Sequence, residues 1–279
     1  MRLPVTARSI LITGASSGIG AHCAHGLAAR GWRVLATART HADLETLKGA
    51  GIEALYLDYA EPASIAALAG KVLQDTGGAL YALFNNGAYA QPGAVEDLSS
   101  AALHAQFEAN FFGWHDLTCR LIPAMRVRGE GRIVFCSSVL GLVALPYRGA
   151  YNASKFAVEG LADTMRLELA GSGIHVSTIQ PGPIRSRFNE HALAAFEANI
   201  DWRNSVHRDA YEIRLEQLRG GRVSRLRLGP EAVFAKLLHA LESPRPRPHY
   251  HVTGATTFAA LCRRLLPRRA LDALARRIF

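Results

Sequence analysis

The chain has 279 residues, 49% of them hydrophobic, with 25 Gly and 12 Pro, the make-up of a globular protein with a sizeable core in one large α/β domain or two small ones. No apolar run approaches the roughly 20 residues that span a bilayer, and the four scattered cysteines (Cys23, Cys119, Cys136, Cys262) show no metal or redox spacing. The first residues lack the apolar core of a secretory signal, so the expected location is the cytoplasm with reduced thiols. The formal net charge of +9 lies entirely in residues 185–279, since residues 1–184 are formally neutral. No nucleic-acid-binding motif accompanies that charge, which leaves a solvated Arg-rich surface, an anionic membrane or an acidic substrate as its readings.

In chain order, short apolar and β-branched runs predict strands at Ser9–Thr13, Arg33–Ala38, Glu53–Leu57, Ala79–Asn85, Gly131–Ser137 and Ile174–Gln180. Helical patterns lie between them near 18–30, 62–76, 99–127 and 150–171. Strands that are apolar throughout, rather than alternating, belong to a parallel sheet covered on both faces. The βαβ rhythm therefore predicts a doubly wound, Rossmann-like fold of about seven strands in a single domain. The seventh strand is expected at His249–Thr253, after a helix starting near Pro230 and a connector carrying Pro244, Pro246 and Pro248.

Residues 185–228 interrupt the rhythm with one or two polar, Arg-rich helices bearing Phe188, Phe196, Trp202 and Tyr211. An insertion there emerges at the carboxyl edge of the sheet, where ligands bind, and is read as a substrate lid. Residues 1–257 form the expected catalytic domain. Residues 258–279 form a basic amphipathic tail, broken at Pro267, that packs on its own domain, pairs with a second subunit or lies on an anionic membrane.

Two groups of residues carry chemistry. Strand one runs into T-G-A-S-S-G-I-G, which places Gly14, Gly18 and Gly20 in a turn that opens a helix. Glycines there allow close backbone approach, and free N–H groups at the helix start attract a pyrophosphate. Farther along, Tyr151 and Lys155 stand one helical turn apart on one face. An ammonium beside a phenol favours the phenolate, bringing proton transfer nearer to neutral pH.

With these motifs the chain resembles the short-chain dehydrogenase/reductase family over residues 8–187. The resemblance implies that Gly14, Ser16, Ser17, Gly18, Ile19 and Gly20 form the cofactor turn and that Asp58 lies near the adenine. Asn86, Gly87 and Ala88, in N-N-G-A, correspond to the family's N-N-A-G with the last two residues exchanged. Pro181, Gly182, Ile184 and Ser186, in P-G-P-I-R-S, match the family's P-G-x-x-x-T. It further implies a catalytic group of Asn110, Ser138, Tyr151 and Lys155, with Ser137 the alternative serine. Tyr151 exchanges the proton, Ser138 steadies the substrate oxygen, Lys155 binds the nicotinamide ribose and Asn110 holds a water in a relay. Family members are commonly dimers or tetramers.

At the end of strand two, Ala38 and Arg39 stand where an acid would repel a 2′-phosphate, so the expected cofactor is NADP(H). The stretch from the Asn110 helix through P-G-P-I-R-S-R-F resembles family members that handle lipophilic aldehydes, retinoids or hydroxysteroids, which implies a lipophilic carbonyl or alcohol substrate; no metal and no nucleic acid are expected. The alternative from another class is a non-catalytic NADP(H)-binding redox sensor or scaffold.

Overall fold

The computed structural model describes residues 8–219 and 227–278. Residues 220–226 of the expected lid and Phe279 of the expected tail lie outside the described residues.

The strands are β1 (Ser9–Ile12), β2 (Arg33–Ala38), β3 (Glu53–Tyr56), β4 (Ala82–Asn85), β5 (Gly131–Cys136), β6 (Ile174–Gln180) and β7 (His249–His251). They form one parallel sheet in the order β3-β2-β1-β4-β5-β6-β7. The helices that follow them begin with α1 (Gly18–Ala28), α2 (His41–Gly49), α3 (Pro62–Asp75), α4 (Ser100–Phe107), α5 (Gly113–Arg128) and α6 (Gly149–Glu168). The remainder are α7 (Phe188–Asn199), α8 (Arg208–Arg219), α9 (Glu231–Glu242), α10 (Gly254–Leu265) and α11 (Arg268–Ile278). Helix α1 packs on α9 and α3 packs on α5, which covers the two faces. Burial on both sides explains the uniformly apolar strands: Ile10, Leu11, Ile12, Leu83 and Phe84 are fully buried. The strand order reverses between β1 and β4, opening a crevice at the carboxyl ends of the strands.

The expected strands are present, several with shorter ladders. Thr13 leaves β1 because its hydroxyl accepts the backbone N–H groups of Asn86 (2.9 Å) and Gly87 (3.1 Å). One helix, α2, has no counterpart in the apolar pattern, since Leu47 is its one buried residue. Its signal is polar: the Thr40 hydroxyl accepts the Asp43 N–H at 3.2 Å and donates to the Asp43 carboxylate at 2.7 Å. The expected helix over 99–127 is divided by a π turn at Glu108–Phe112.

The insertion resolves into α7 and α8, and its two ends meet in a bridge between Ile184 and Leu228. Helix α10 begins at Gly254, four residues ahead of the expected tail boundary, because the Thr253 hydroxyl caps it by accepting the Thr256 N–H at 3.2 Å. Its inner face buries Thr256 and Cys262, and the Arg263 guanidinium lies 5.5 Å from the Phe156 ring.

Candidate active site

The glycine turn between β1 and α1 is fixed by its neighbours. Gly14 and Gly18 have φ of +63° and +56°, the left-handed region that disfavours a side chain. A Cβ on Gly14 would stand 2.3 Å from Gly87 Cα, and one on Gly20 would stand 2.2 Å from the Gly14 carbonyl oxygen. Asn86 holds the turn: its side-chain N–H groups donate to the carbonyls of Thr13 (3.0 Å) and Gly14 (3.1 Å). Gly14 N–H in turn donates to the Thr37 hydroxyl at 3.2 Å. The exchanged pair in N-N-G-A is accommodated because Gly87, not Ala88, is the residue pressed against Gly14.

Ser17 precedes α1 in an extended conformation and makes no side-chain cap, so the first N–H groups of the helix remain available to an anion. A Cβ on Gly18 would come within 3.1 Å of Ser186 Cβ, so the P-G-P-I-R-S segment borders the same turn. Val139 N–H donates to the Pro181 carbonyl at 2.8 Å, and Gly182 lies so close to Thr253 that a Cβ would meet its hydroxyl oxygen at 2.2 Å. Arg39 is exposed at the end of β2. Asp58, half-buried after β3, is fixed by Ser64, whose hydroxyl donates to the Asp58 carbonyl at 2.6 Å. A dinucleotide fits this cradle, which glycine alone keeps open.

Ser138, Tyr151 and Lys155 are brought together at the carboxyl end of β5, all buried. Burial pushes the Tyr151 phenol well above its usual range, the Cys136 thiol adds to that, and a hydrogen bond with Ser138 and the charge of Arg148 oppose it. Ser138 is thus near enough to the phenol to act on it, and its hydroxyl accepts the Leu140 N–H at 3.1 Å. Among the described residues, the buried hydroxyl of Ser137 has no hydrogen-bond partner.

Lys155 donates to the Cys136 carbonyl at 2.8 Å and lies 4.3 Å from the Trp114 ring and 5.6 Å from that of Tyr151. Burial pulls its ammonium down to about 8. In this arrangement Ser138 and Arg148 favour the phenolate.

Asn110 sits in the π turn, a helix irregularity common at functional sites. Its amide clamps the Tyr89 backbone, accepting from the N–H at 3.1 Å and donating to the carbonyl at 2.9 Å, with a longer contact to Ser154 Oγ at 3.4 Å.

The lid aromatics divide into two groups. Phe188 meets Tyr151 edge-on at 5.5 Å and, with Leu140, Ala90 and Ala192, makes an apolar wall beside the phenol. Phe196, Tyr211 and Trp202 instead form a satellite core with Ala94, Leu98, Tyr147, Ile200 and Leu215. Tyr211 anchors it, donating to Asp97 at 2.5 Å and accepting the Ala94 N–H at 2.7 Å. Two residues of the site escaped the motif reading. Trp114 could have been found one turn after Asn110, whereas Arg148 precedes α6 and carries no periodic signal.

A doubly wound sheet with a glycine cradle and a buried Ser–Tyr–Lys group is the layout of a nucleotide-dependent oxidoreductase. The family model for short chain dehydrogenases matches residues 8–195. The Escherichia coli (strain K12) oxidoreductase YbbO is 42% identical, over 96% of this chain and 94% of that one. Human 17-beta-hydroxysteroid dehydrogenase type 1 is 33% identical over 88% of this chain and 77% of its own. Among solved structures, a Burkholderia phymatum short chain dehydrogenase/reductase in complex with NAD superposes with a TM-score of 0.78 at 25% identity, covering 94% and 95% of the two chains. Actinorhodin polyketide ketoreductase with NADPH superposes at 0.72 and 29%, covering 90% and 97%. The chain belongs to the short-chain dehydrogenase/reductase family of oxidoreductases.

Proposed function

We propose that this chain is a cytoplasmic NADP(H)-dependent reductase of apolar aldehydes and ketones, or the dehydrogenase of the corresponding alcohols. The observation that carries the reading is the gathering of Ser138, Tyr151 and Lys155 beside the glycine cradle. Tyr151 gives its proton to the substrate oxygen, and Ser138 hydrogen-bonds that oxygen as charge develops on it. Lys155, held by the Cys136 carbonyl, presents its remaining N–H donors to the ribose hydroxyls. Asn110 acts by fixing the Tyr89 backbone and the π turn. The nicotinamide, when bound, supplies the hydride.

An apolar substrate is supported by the wall of Phe188, Leu140, Ala90 and Ala192, and by a relative named for a hydroxysteroid. Loss of NADPH absorbance with a panel of aldehydes and ketones tests the reading. Tight NADPH binding with no turnover of any of them would favour a non-catalytic NADP(H) sensor or scaffold instead.

The preference for NADPH rests on Arg39, since the similar structures hold either cofactor. Replacing Arg39→Asp puts an acid where the 2′-phosphate would lie, and NADPH affinity should fall at least about tenfold with NADH little changed. Fluorescence titration of both cofactors checks this, and equal losses would refute the assignment.

On α10, Phe258, Leu261 and Leu265 are exposed on one face, beside exposed Arg264 and the exposed Arg268 and Arg269 that follow. An apolar stripe edged by arginines fits an anionic lipid surface. The parent should float with phosphatidylserine vesicles and the triple variant Phe258→Ser, Leu261→Ser, Leu265→Ser should not; equal flotation would leave pairing with a second subunit as the role of this face.

A further inference from the structure

Helix α6 carries its ionisable side chains on beyond the proton-transfer group. Tyr151, Lys155, Glu159 and Asp163 recur every four residues and so lie along one face, and the first three are buried. Past Lys155 this face meets β6 and β7. Glu159 Oε2 accepts the Thr178 hydroxyl at 3.1 Å and stands 3.5 Å from His249 Nδ1. The same ring nitrogen is 2.9 Å from Thr178 Oγ1 and 3.5 Å from Gln180 Nε2, and His249 Nε2 is 3.4 Å from the Asp163 carboxylate. The imidazole is 37% exposed on the edge strand of the sheet, so this cluster runs from the site to solvent.

Among the described residues no carboxylate forms an ion pair with Lys155, whose hydrogen bond goes to the neutral Cys136 carbonyl. Two groups favour its charged form against burial, the Cys136 thiol and Glu159. Burial pushes that thiol up to about 11, so at neutral pH it keeps its proton and carries no charge. Glu159 is then the group whose charge offsets the enclosure of the ammonium. Its Oε1 is buried and, among the described residues, has no hydrogen-bond donor to quench it. Gly141 makes room for the side chain, since a Cβ there would stand 3.0 Å from Glu159 Cγ and 2.8 Å from Ser137 Oγ. Attraction between charges is strongest where water is excluded in this way.

His249 governs how much of that charge reaches Lys155. The adjacent Glu159 holds the imidazole above its usual range against burial, Asp163 adds to this and Arg166 opposes it. His251, next on the same face of β7, is near enough to feel both His249 and Glu159. A protonated His249 cancels the carboxylate, whereas a neutral one leaves it to the ammonium. We propose that Glu159 is a positioning residue for the reaction, holding Lys155 as an ammonium from one turn along α6, and that His249 at the sheet edge modulates this support by neutralising the carboxylate. The inference rests on the proposed roles of Tyr151 and Lys155 and deepens them. As pH rises His249 discharges first, so the carboxylate is unmasked just where burial alone would release the lysine proton.

The test follows Lys155 itself, so it stands apart from turnover. The chain has four lysines, and the full-length protein carrying carbon-13 at the lysine ε position is titrated by NMR, with Lys155→Met identifying the signal. The parent signal should titrate at about 8. Glu159→Gln should bring it down by about one pH unit, and so should His249→Arg, which keeps a positive charge beside the carboxylate at every pH. His249→Gln, which leaves the carboxylate uncancelled, should keep at least the parent value. Since His249 is partly exposed, its variants keep the test available if the buried substitution unsettles the fold. The alkaline limb of kcat for carbonyl reduction should move with the NMR signal in each variant. A Lys155 titration that Glu159→Gln leaves in place overturns the inference, as does a shift in Glu159→Gln that His249→Arg fails to reproduce. Lysine signals that shift as expected in a chain that reduces no carbonyl would remove the proposed reaction and leave the support of Lys155 standing.

Discussion

Tyr151→Phe should abolish turnover, lowering kcat by at least about a thousandfold, while NADPH binding and the folded state are retained. The ring sits among Ala90, Ala192, Leu140 and Phe188, and phenylalanine fills that space as well as tyrosine does. What disappears is one O–H on the side of the ring that the Ser138 hydroxyl acts on. Because burial is the largest influence on the phenol and pushes it upward, Tyr151 is protonated at neutral pH and ready to donate. Reduction therefore begins with its acid loaded, whereas oxidation must first remove that proton, and the rate of alcohol oxidation should climb with pH well past neutrality. Single-turnover assays in both directions across pH check the pair of results. A variant that still reduces substrate at near-parental rate would exclude Tyr151 as the proton donor.

Lys155→Met should also abolish turnover, yet stabilise the folded chain at neutral pH. The unfolded lysine keeps its proton to roughly pH 10.4, whereas burial brings the folded one to about 8. Between those values the unfolded chain binds more protons, so the parent gains stability as pH rises through that window. Below pH 8 both states are protonated and the folded state carries the whole burial penalty, on the order of 3 kcal/mol. Methionine removes the charge and keeps contact with Trp114, at the loss of the hydrogen bond to the Cys136 carbonyl. Urea denaturation at pH 7 and pH 10 gives the answer: the variant's advantage should be largest at the lower value and mostly gone at the higher. An equal advantage at both would mean that packing, not charge, sets it.

Much of this architecture was legible in the residue pattern because the sheet is buried on both faces, so each strand announces itself as an unbroken apolar run. Helix α2 was not, because its inner face has little apolar content and its start is marked by the Thr40–Asp43 cap. The motif order located Ser138, Tyr151 and Lys155, which are close in the chain and separated by one strand–helix connection. The lid was harder. Which of its aromatic residues faces the phenol depends on contacts such as Tyr211 with Ala94 and Asp97, made across more than a hundred residues of chain, and no local periodicity reports them. Arg148 was silent for a related reason: an arginine in a turn has no pattern until the structure shows what it faces.

The stretch from Asn86 to Asp97 holds the glycine turn through Asn86, accepts the clamp of Asn110 at Tyr89, bridges Arg148 at Gly93 and moors the lid at Ala94 and Asp97. Four separate parts of the molecule are thus registered against twelve consecutive residues. Gly93, with φ of +148° and a would-be Cβ 2.8 Å from Ile200, leaves no slack in the middle. For anyone redirecting this scaffold to new substrates, this stretch is the wrong place to randomise: a single inserted residue would shift all four attachments together. The profitable library lies at the first turn of α7 around Phe188, where a side chain can be exchanged against the phenol without disturbing any of the moorings.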